Sequence, residues 1–261
     1  MEADARARLV ELLATARREA RQIRNLAADL VPGTRAEACA VNGLVAERLG
    51  WPRLGWKIAA TTPEMQQRLR TGEPIYGQTF ERFAVPSPAR FRHAELLDPL
   101  VECEFFFLLG RPLPPRAAAY SHDEVADAVA ACHAGIEVAE CRFPLDELPA
   151  VTAVLADGAA SGRYVIGPAI GGWRDRDLAA MPVVLEVDGV VRRRGTGADV
   201  MGHPLAPLVW LANQRSAIGD GLAAGALVST GTATGMLLAK AGQHMRATFG
   251  GTFAVEVAFD G

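Results

Sequence analysis

The sequence has no apolar run long enough to cross a bilayer, no paired-cysteine motif and no excess of positive charge. Each absence removes a class of protein. A spanning helix needs roughly 20 consecutive apolar residues, so no membrane partner is expected. A formal net charge of −3 leaves no basic footprint for nucleic acid. The four cysteines, Cys39, Cys103, Cys132 and Cys141, form no C-x-x-C pair and join no histidine cluster. They read as reduced, mostly buried thiols of a cytoplasmic protein. The charged, acidic amino terminus lacks a signal-peptide pattern, which gives the same expected location. There is no internal repeat and no low-complexity linker. Half of the 261 residues are hydrophobic, enough for a sizeable core without disulfides.

Along the chain, Leu9, Leu12, Leu13, Ala16 and Ala20 recur at helical spacing until Val31-Pro32-Gly33 breaks the pattern. A second helix is expected from Thr34, with Glu37 completing a T-x-x-E capping box, to about Leu49-Gly50. As sequence, this pair carries no chemistry, and residues 1–52 are set apart as a helical segment from a catalytic domain over 53–261. Residues 54–60 read as a short strand, Met65–Arg70 as a helical turn, Leu100–Leu109 as a strand and Asp123–Ala134 as a helix followed by a strand over 135–139. Asp188-Gly189 between two valine-rich runs signals a hairpin with a type I′ turn. A helix over 204–215 and strands near 227–230 and 253–257 complete the pattern. Short strands with few helices between them predict a mostly β, mixed α+β core rather than a doubly wound sheet.

The chemistry is concentrated in Leu100-Val101-Glu102-Cys103-Glu104-Phe105-Phe106-Phe107-Leu108-Leu109. Side chains alternate along a strand, so Glu102 and Glu104 share one face. Two buried anions so close repel and are costly to desolvate, and a bound divalent cation keeps both ionised. Glu137, in the apolar run Ile136-Glu137-Val138-Ala139, is a third candidate. Three carboxylates without cysteine or histidine partners suit a hard cation, Mg²⁺ or Mn²⁺. The plainer alternative puts these glutamates on a solvated sheet face; for so apolar an E-x-E run the metal site is preferred. Lys57, between Trp56 and Ile58, is by itself more simply a lysine whose stem lines the sheet.

Gly55-Trp56-Lys57-Ile58, Glu73-Pro74-Ile75-Tyr76-Gly77, Val101-Glu102-Cys103-Glu104 and Ile136-Glu137-Val138-Ala139-Glu140-Cys141-Arg142 occur in that order. Asp157-Gly158-Ala159-Ala160-Ser161-Gly162, Gly202-His203-Pro204-Leu205 and Trp210-Leu211-Ala212-Asn213 follow. This ordered set resembles the hydratase/decarboxylase branch of the fumarylacetoacetate hydrolase superfamily, from about Gly55 to the end of the chain. The resemblance implies a mixed β-roll with an N-terminal helical segment. It implies Glu102, Glu104 and Glu137 as ligands to Mg²⁺ or Mn²⁺, and Lys57 as the active-site lysine. It places Ser161 in the segment of a substrate-contacting serine and implies substrate contacts at Tyr76, Arg142, Thr232 and Thr234. It also implies a homo-oligomer, and association with a pathway partner enzyme. Three departures bear on the substrate. The family's D-N-A-S-S-G run has Gly158 for its asparagine and Ala160 for one serine. Ile75 stands where hydratases often carry an acid, as in the decarboxylases. Asp-Ser-Arg reads Glu140-Cys141-Arg142.

The implied reaction is addition of water to a 2-oxo-4-enoate, converting 2-hydroxypenta-2,4-dienoate to 4-hydroxy-2-oxopentanoate in aromatic-compound catabolism. The alternative is decarboxylation of 4-oxalocrotonate on the same scaffold, since one electron sink serves both. A C–C hydrolase of acylpyruvates would want a His-Glu pair, for which His93 is the sole candidate; a non-catalytic oligomeric partner is the remaining reading. His133, His203 and His244 are expected to pack, cap or face solvent. Gly231-Thr232-Ala233-Thr234-Gly235 lacks the G-K-[ST] ending of a phosphate loop, and Arg192-Arg193-Arg194 is expected to be a solvated flank.

Overall fold

The computed structural model describes residues 1–261. Helices α1 (Ala3–Arg18) and α2 (Arg35–Leu49) open the chain. The predicted capping box starts α2: the Thr34 hydroxyl accepts from the Glu37 amide and the Glu37 carboxylate from the Thr34 amide, each at 3.2 Å. Gly50, left-handed at φ 64°, ends the helix. There follow β1 (Arg53–Ala59), α3 (Pro63–Leu69), β2 (Ile75–Phe80), β3 (Ala84–Pro86), β4 (Ala89–Arg92) and β5 (Leu100–Leu109). The middle of the chain forms α4 (His122–Ala128), β6 (Val129–Ala139), α5 (Val151–Ala156) and β7 (Arg163–Ala169). The last third forms β8 (Pro182–Val187), β9 (Val190–Thr196), α6 (Ala206–Ala217), β10 (Leu227–Thr232), β11 (Leu237–Leu238), β12 (His244–Phe249) and β13 (Phe253–Asp260).

The strands build two mixed sheets, the α+β arrangement expected. One runs β2-β1-β10-β5-β6-β7-β3, with β11 also on β5; the other runs β4-β13-β12-β8-β9. β1 and β10, β3 and β7, and β4 and β13 pair in parallel. The β8–β9 turn has Asp188 at φ 51° and Gly189 at φ 77°, the two positive angles that a type I′ turn requires. One expectation is corrected: the helix over Asp123–Ala134 stops at Ala128, and the chain from Val129 is strand β6. Alanine-rich sequence favours a helix locally, but pairing with β5 on one side and β7 on the other overrides it.

β5 separates core from site. Val101, Cys103, Phe105 and Phe107 point into the main hydrophobic cluster against the second sheet, with Phe105 edge-on to Phe249 at 5.2 Å. Glu102, Glu104 and Phe106 point the other way. A second cluster joins α1 and α2 to α5 and to Ile75, Phe80 and Phe143. The helical pair is thus packed on the same side of the sheet as the glutamates.

Candidate active site

Glu102 lies directly opposite Glu137 in the antiparallel β5–β6 register, and Glu104 opposite Gly135. One carboxylate oxygen from each of Glu102, Glu104 and Glu137 lies within 4.8 Å of the other two, and all three residues are buried. Lys57 reaches the cluster from β1. Its ammonium stands 3.2 Å from Glu137 Oε1 and donates to the Ala159 carbonyl at 3.0 Å.

Neutral donors orient two of the acids. The Ser229 hydroxyl donates to Glu104 Oε2 and lies 3.2 Å from Glu137 Oε2. The Gly231 amide donates to Glu104 Oε2 at 3.0 Å, and the Tyr164 hydroxyl to Glu137 Oε1 at 3.2 Å. No protein donor reaches Glu102, and Glu104 Oε1 is fully buried without any partner. Burial raises the pKa of all three acids, Glu102 to about 7, and repulsion from Glu137 and Glu102 adds to it at Glu104. Lys57 is pulled down by burial, but the three carboxylates outweigh that and raise it, so it stays charged. One lysine against three buried carboxylates leaves an excess of negative charge and an orphaned oxygen. That donor set fits a hard divalent cation.

Lys57 and Glu102 form one end of a cavity of about 100 Å³ whose remaining walls are mostly apolar. Thr232 lines this cleft and Thr234 its outer mouth; both hydroxyls bond the Gly235 carbonyl, at 3.0 and 3.4 Å.

Three expected residues are not at the cleft wall. Tyr76 lies on the opposite face of β2, edge-on to Trp56 at 5.8 Å and Trp210 at 6.0 Å. Strand alternation gives the cleft to Ile75 instead. Arg142 is buried under the loop over 157–161, its Nε 2.9 Å from both Asp157 carboxylate oxygens and its Nη2 2.9 Å from the Ser161 carbonyl. Ser161 turns inward, its hydroxyl 3.0 Å from the Tyr164 hydroxyl, so it acts on Glu137 only through Tyr164. The cleft wall is made by Ala159 and Ala160, both left-handed, at φ 56° and 58°. Cys141 also lines the cleft, with burial pushing its thiol up to about 11, so it is a neutral wall.

The histidines are elsewhere. His203 Nδ1 accepts from the Leu205 amide, His133 Nδ1 pairs with the Gly167 carbonyl, and His93 Nε2 with the Ala239 carbonyl. Sequence reasoning missed Ser229, Tyr164 and Arg17. Ser229 had a weak signal, a hydroxyl directly after the apolar pair Leu227-Val228 and beside Thr230. Arg17 had none. It extends from α1 to the Asp157 carboxylate at 3.4 Å and to the Asp157 and Ser161 carbonyls, so α1 packs on the loop that carries the Ala159 acceptor of Lys57. Burial and the neighbouring Arg142 lower its pKa to about 10.

Known proteins resemble this chain in sequence and in fold. The family described as fumarylacetoacetate (FAA) hydrolase C-terminal matches residues 64–258. A 2-keto-4-pentenoate hydratase of Burkholderia vietnamiensis is 33% identical over 206 residues, 79% of this chain and 78% of that protein. A 4-oxalocrotonate decarboxylase of Pseudomonas putida is 27% identical over 96% of this chain and 95% of its own. The solved structure of 4-oxalocrotonate decarboxylase from Pseudomonas putida G7, complexed with magnesium and adipate, superposes with a TM-score of 0.91 at 25% identity, covering 99% of this chain and 98% of its own. The chain belongs to the fumarylacetoacetate hydrolase family.

Proposed function

We propose that the protein is a metal-dependent hydratase that adds water to a 2-oxo-4-enoate in the catabolism of aromatic compounds, with 2-hydroxypenta-2,4-dienoate and 4-hydroxy-2-oxopentanoate as the type substrate and product. One observation carries the reading: three buried carboxylates within 4.8 Å, one with an orphaned oxygen, beside a single buried lysine. Glu102, Glu104 and Glu137 would hold Mg²⁺ or Mn²⁺. The cation supplies Lewis acidity to the carboxylate and keto oxygens of a 2-oxo acid.

The chain's own residues do the rest. Ser229 and the Gly231 amide fix Glu104, while Tyr164, backed by Ser161, fixes Glu137. Lys57 is the one cation inside the site and compensates the negative charge of the substrate. Its Nζ is also the ionisable group placed to hold or move a proton at the substrate's oxygens. The apolar walls keep bulk water from the carbon chain, so that water adds only where the site admits it.

Hydration is preferred because a 33% identical relative is a hydratase and because Arg68, the one cation besides Lys57 on the cleft walls, is exposed. Decarboxylation is the second reading, favoured by the near full-length likeness to a decarboxylase solved with magnesium and adipate. The test is an ultraviolet assay of 2-hydroxypenta-2,4-dienoate and 4-oxalocrotonate with Mg²⁺ or Mn²⁺. Turnover of the first supports hydration; CO₂ release from the second with no turnover of the first reverses the order. A homo-oligomer in the cytoplasm, in contact with a pathway partner enzyme, belongs to the same proposal. No helix is long and apolar enough to cross a membrane.

A further inference from the structure

The walls of the cleft beyond Lys57 and Glu102 are built by Leu69 of α3, Ile75 of β2, Leu145 and Leu148 of the loop before α5, and Val154 of α5. The loop over 157–161 adds only the methyl groups of Ala159 and Ala160, its one hydroxyl, Ser161, being turned toward Tyr164. Of the three threonine hydroxyls at the wall, two are engaged and the third, on buried Thr61, has no protein partner. Thr62 accepts from the Met65 amide, and Thr232 donates to the Gly235 carbonyl and accepts from the Thr234 amide. Lys57 is held by Glu137 and the Ala159 carbonyl. The remaining charged lining residue, Arg68, is exposed on α3 at the mouth, on the same outer cavity as Arg193 and Arg194. Those guanidiniums are placed to attract anions in water, not to pair with a desolvated group.

A carboxylate carried into this part of the cleft would lose its hydration and gain no charged partner, the Thr61 hydroxyl being its one free neutral donor. An alkyl group would lose only unfavourable contact with water. The cavity of about 100 Å³ is of the order that accepts several carbon atoms, since an apolar cavity of about 150 Å³ takes benzene.

We propose that the site selects 2-oxo acids whose far end is neutral and apolar, favouring alkyl ends longer than that of the type substrate, and rejects those ending in a second carboxylate. The selectivity is set by Leu69, Ile75, Leu145, Leu148, Val154 and Ala160. This inference rests on the metal-dependent 2-oxo acid reading given above.

The test is calorimetric binding of unreactive, saturated 2-oxo acids to the Mg²⁺-loaded protein: 2-oxopentanoate, 2-oxohexanoate and 2-oxooctanoate, with 2-oxoadipate as the six-carbon dicarboxylate. Affinity is expected to rise by about fourfold per added methylene until the cleft is filled. 2-Oxoadipate is expected to bind at least about tenfold more weakly than 2-oxohexanoate, the charged end being left unpaired. Leu145→Arg, at a half-buried position, is expected to narrow or reverse that difference, whereas Arg68→Met is expected to leave it in place. Affinity that is flat or falls with chain length, or tighter binding of 2-oxoadipate to the wild type, overturns the proposal. Selective loss of 2-oxoadipate binding in Arg68→Met also overturns it, by assigning Arg68 as a receptor for the distal carboxylate. Binding of none of the four acids overturns the 2-oxo acid reading itself; binding without the predicted order overturns only the selectivity.

Discussion

Glu102 and Glu137 face each other across adjacent antiparallel strands, in direct register and out of water. Like charges placed so are destabilising in a sheet, and only Glu137 has a lysine within reach. The metal-free protein therefore carries unfavourable energy at this pair, which a cation relieves.

Neutralising one member separates the two effects. Glu102→Gln removes a carboxylate that no protein donor supports. Metal-free Glu102→Gln is expected to be more stable than metal-free wild type by about 1 kcal/mol, and to lose the rise in melting temperature that Mg²⁺ confers on wild type. Glu104→Gln is expected to lose that rise too, without the gain, because it weakens the bonds from Ser229 and Gly231. Thermal melts with and without Mg²⁺ check both.

The raised carboxylate pKa values give a pH dependence with a definite sign. Each acid holds its proton to a higher pH in the folded than in the unfolded chain, Glu102 to about 7. Between the unfolded value near 4.5 and about 7, the folded state thus binds more protons, and stability falls as pH rises. Lys57, raised as well, is protonated throughout that window and contributes no slope. The metal-free protein is expected to melt lower at pH 7.5 than at pH 5.5. Mg²⁺ binding is expected to tighten over the same interval and to release protons, measurable by calorimetry in buffers of different ionisation enthalpy.

Lys57 is one of two lysines among 27 basic side chains; the other, Lys240, is exposed. A compact ammonium fits between Glu137 and the Ala159 carbonyl where a planar guanidinium does not. Lys57→Met is expected to destabilise the metal-free protein by about 3 kcal/mol or more at pH 7.5, less at pH 5.5, and to abolish turnover. Lys57→Arg is expected to restore the charge but little activity. Denaturant unfolding at the two pH values and steady-state kinetics give the answer.

Arg17→Met tests whether α1 serves the site. It leaves Asp157 with Arg142 as its one charged partner and frees two carbonyls of the loop over 157–161. A loss of about 2–3 kcal/mol is expected, with lowered kcat in the fraction that remains folded. Gly77→Ala approaches the same loop from β2, because a Cβ there would lie 2.1 Å from the Gly158 carbonyl oxygen. It is expected to displace the loop and with it the Ala159 acceptor of Lys57. Urea unfolding and Mg²⁺-dependent kinetics of both variants measure the effect.

Much of this was legible in the chain, and the reasons are local. Alternation along Leu100–Leu109 put both glutamates on one face, Thr34 and Glu37 carried the start of α2, and Asp188-Gly189 carried its turn. What depends on pairing was not. The alanine-rich run after Ala128 reads as helix until its partners β5 and β7 are known. Tyr76 reads as a site residue until the register of β2 on β1 turns it toward Trp56 and gives the cleft to Ile75. Ser161 and Arg142 carry groups suited to a substrate, and only the packing of the loop over 157–161 shows them bonded to Tyr164 and Asp157. Arg17 lies about 140 residues from its partners, a separation that no motif spans.

The central claim is that Glu102, Glu104 and Glu137 form one divalent-cation site. Titration of Mn²⁺ into metal-stripped protein, followed by calorimetry and by electron paramagnetic resonance of the free ion, tests it most directly. One ion bound per chain in the wild type, displaced by Mg²⁺ and lost in Glu102→Gln, Glu104→Gln and Glu137→Gln variants that remain folded, is the predicted result. Wild-type protein that binds no ion, or folded variants that bind it as tightly as wild type, would contradict it.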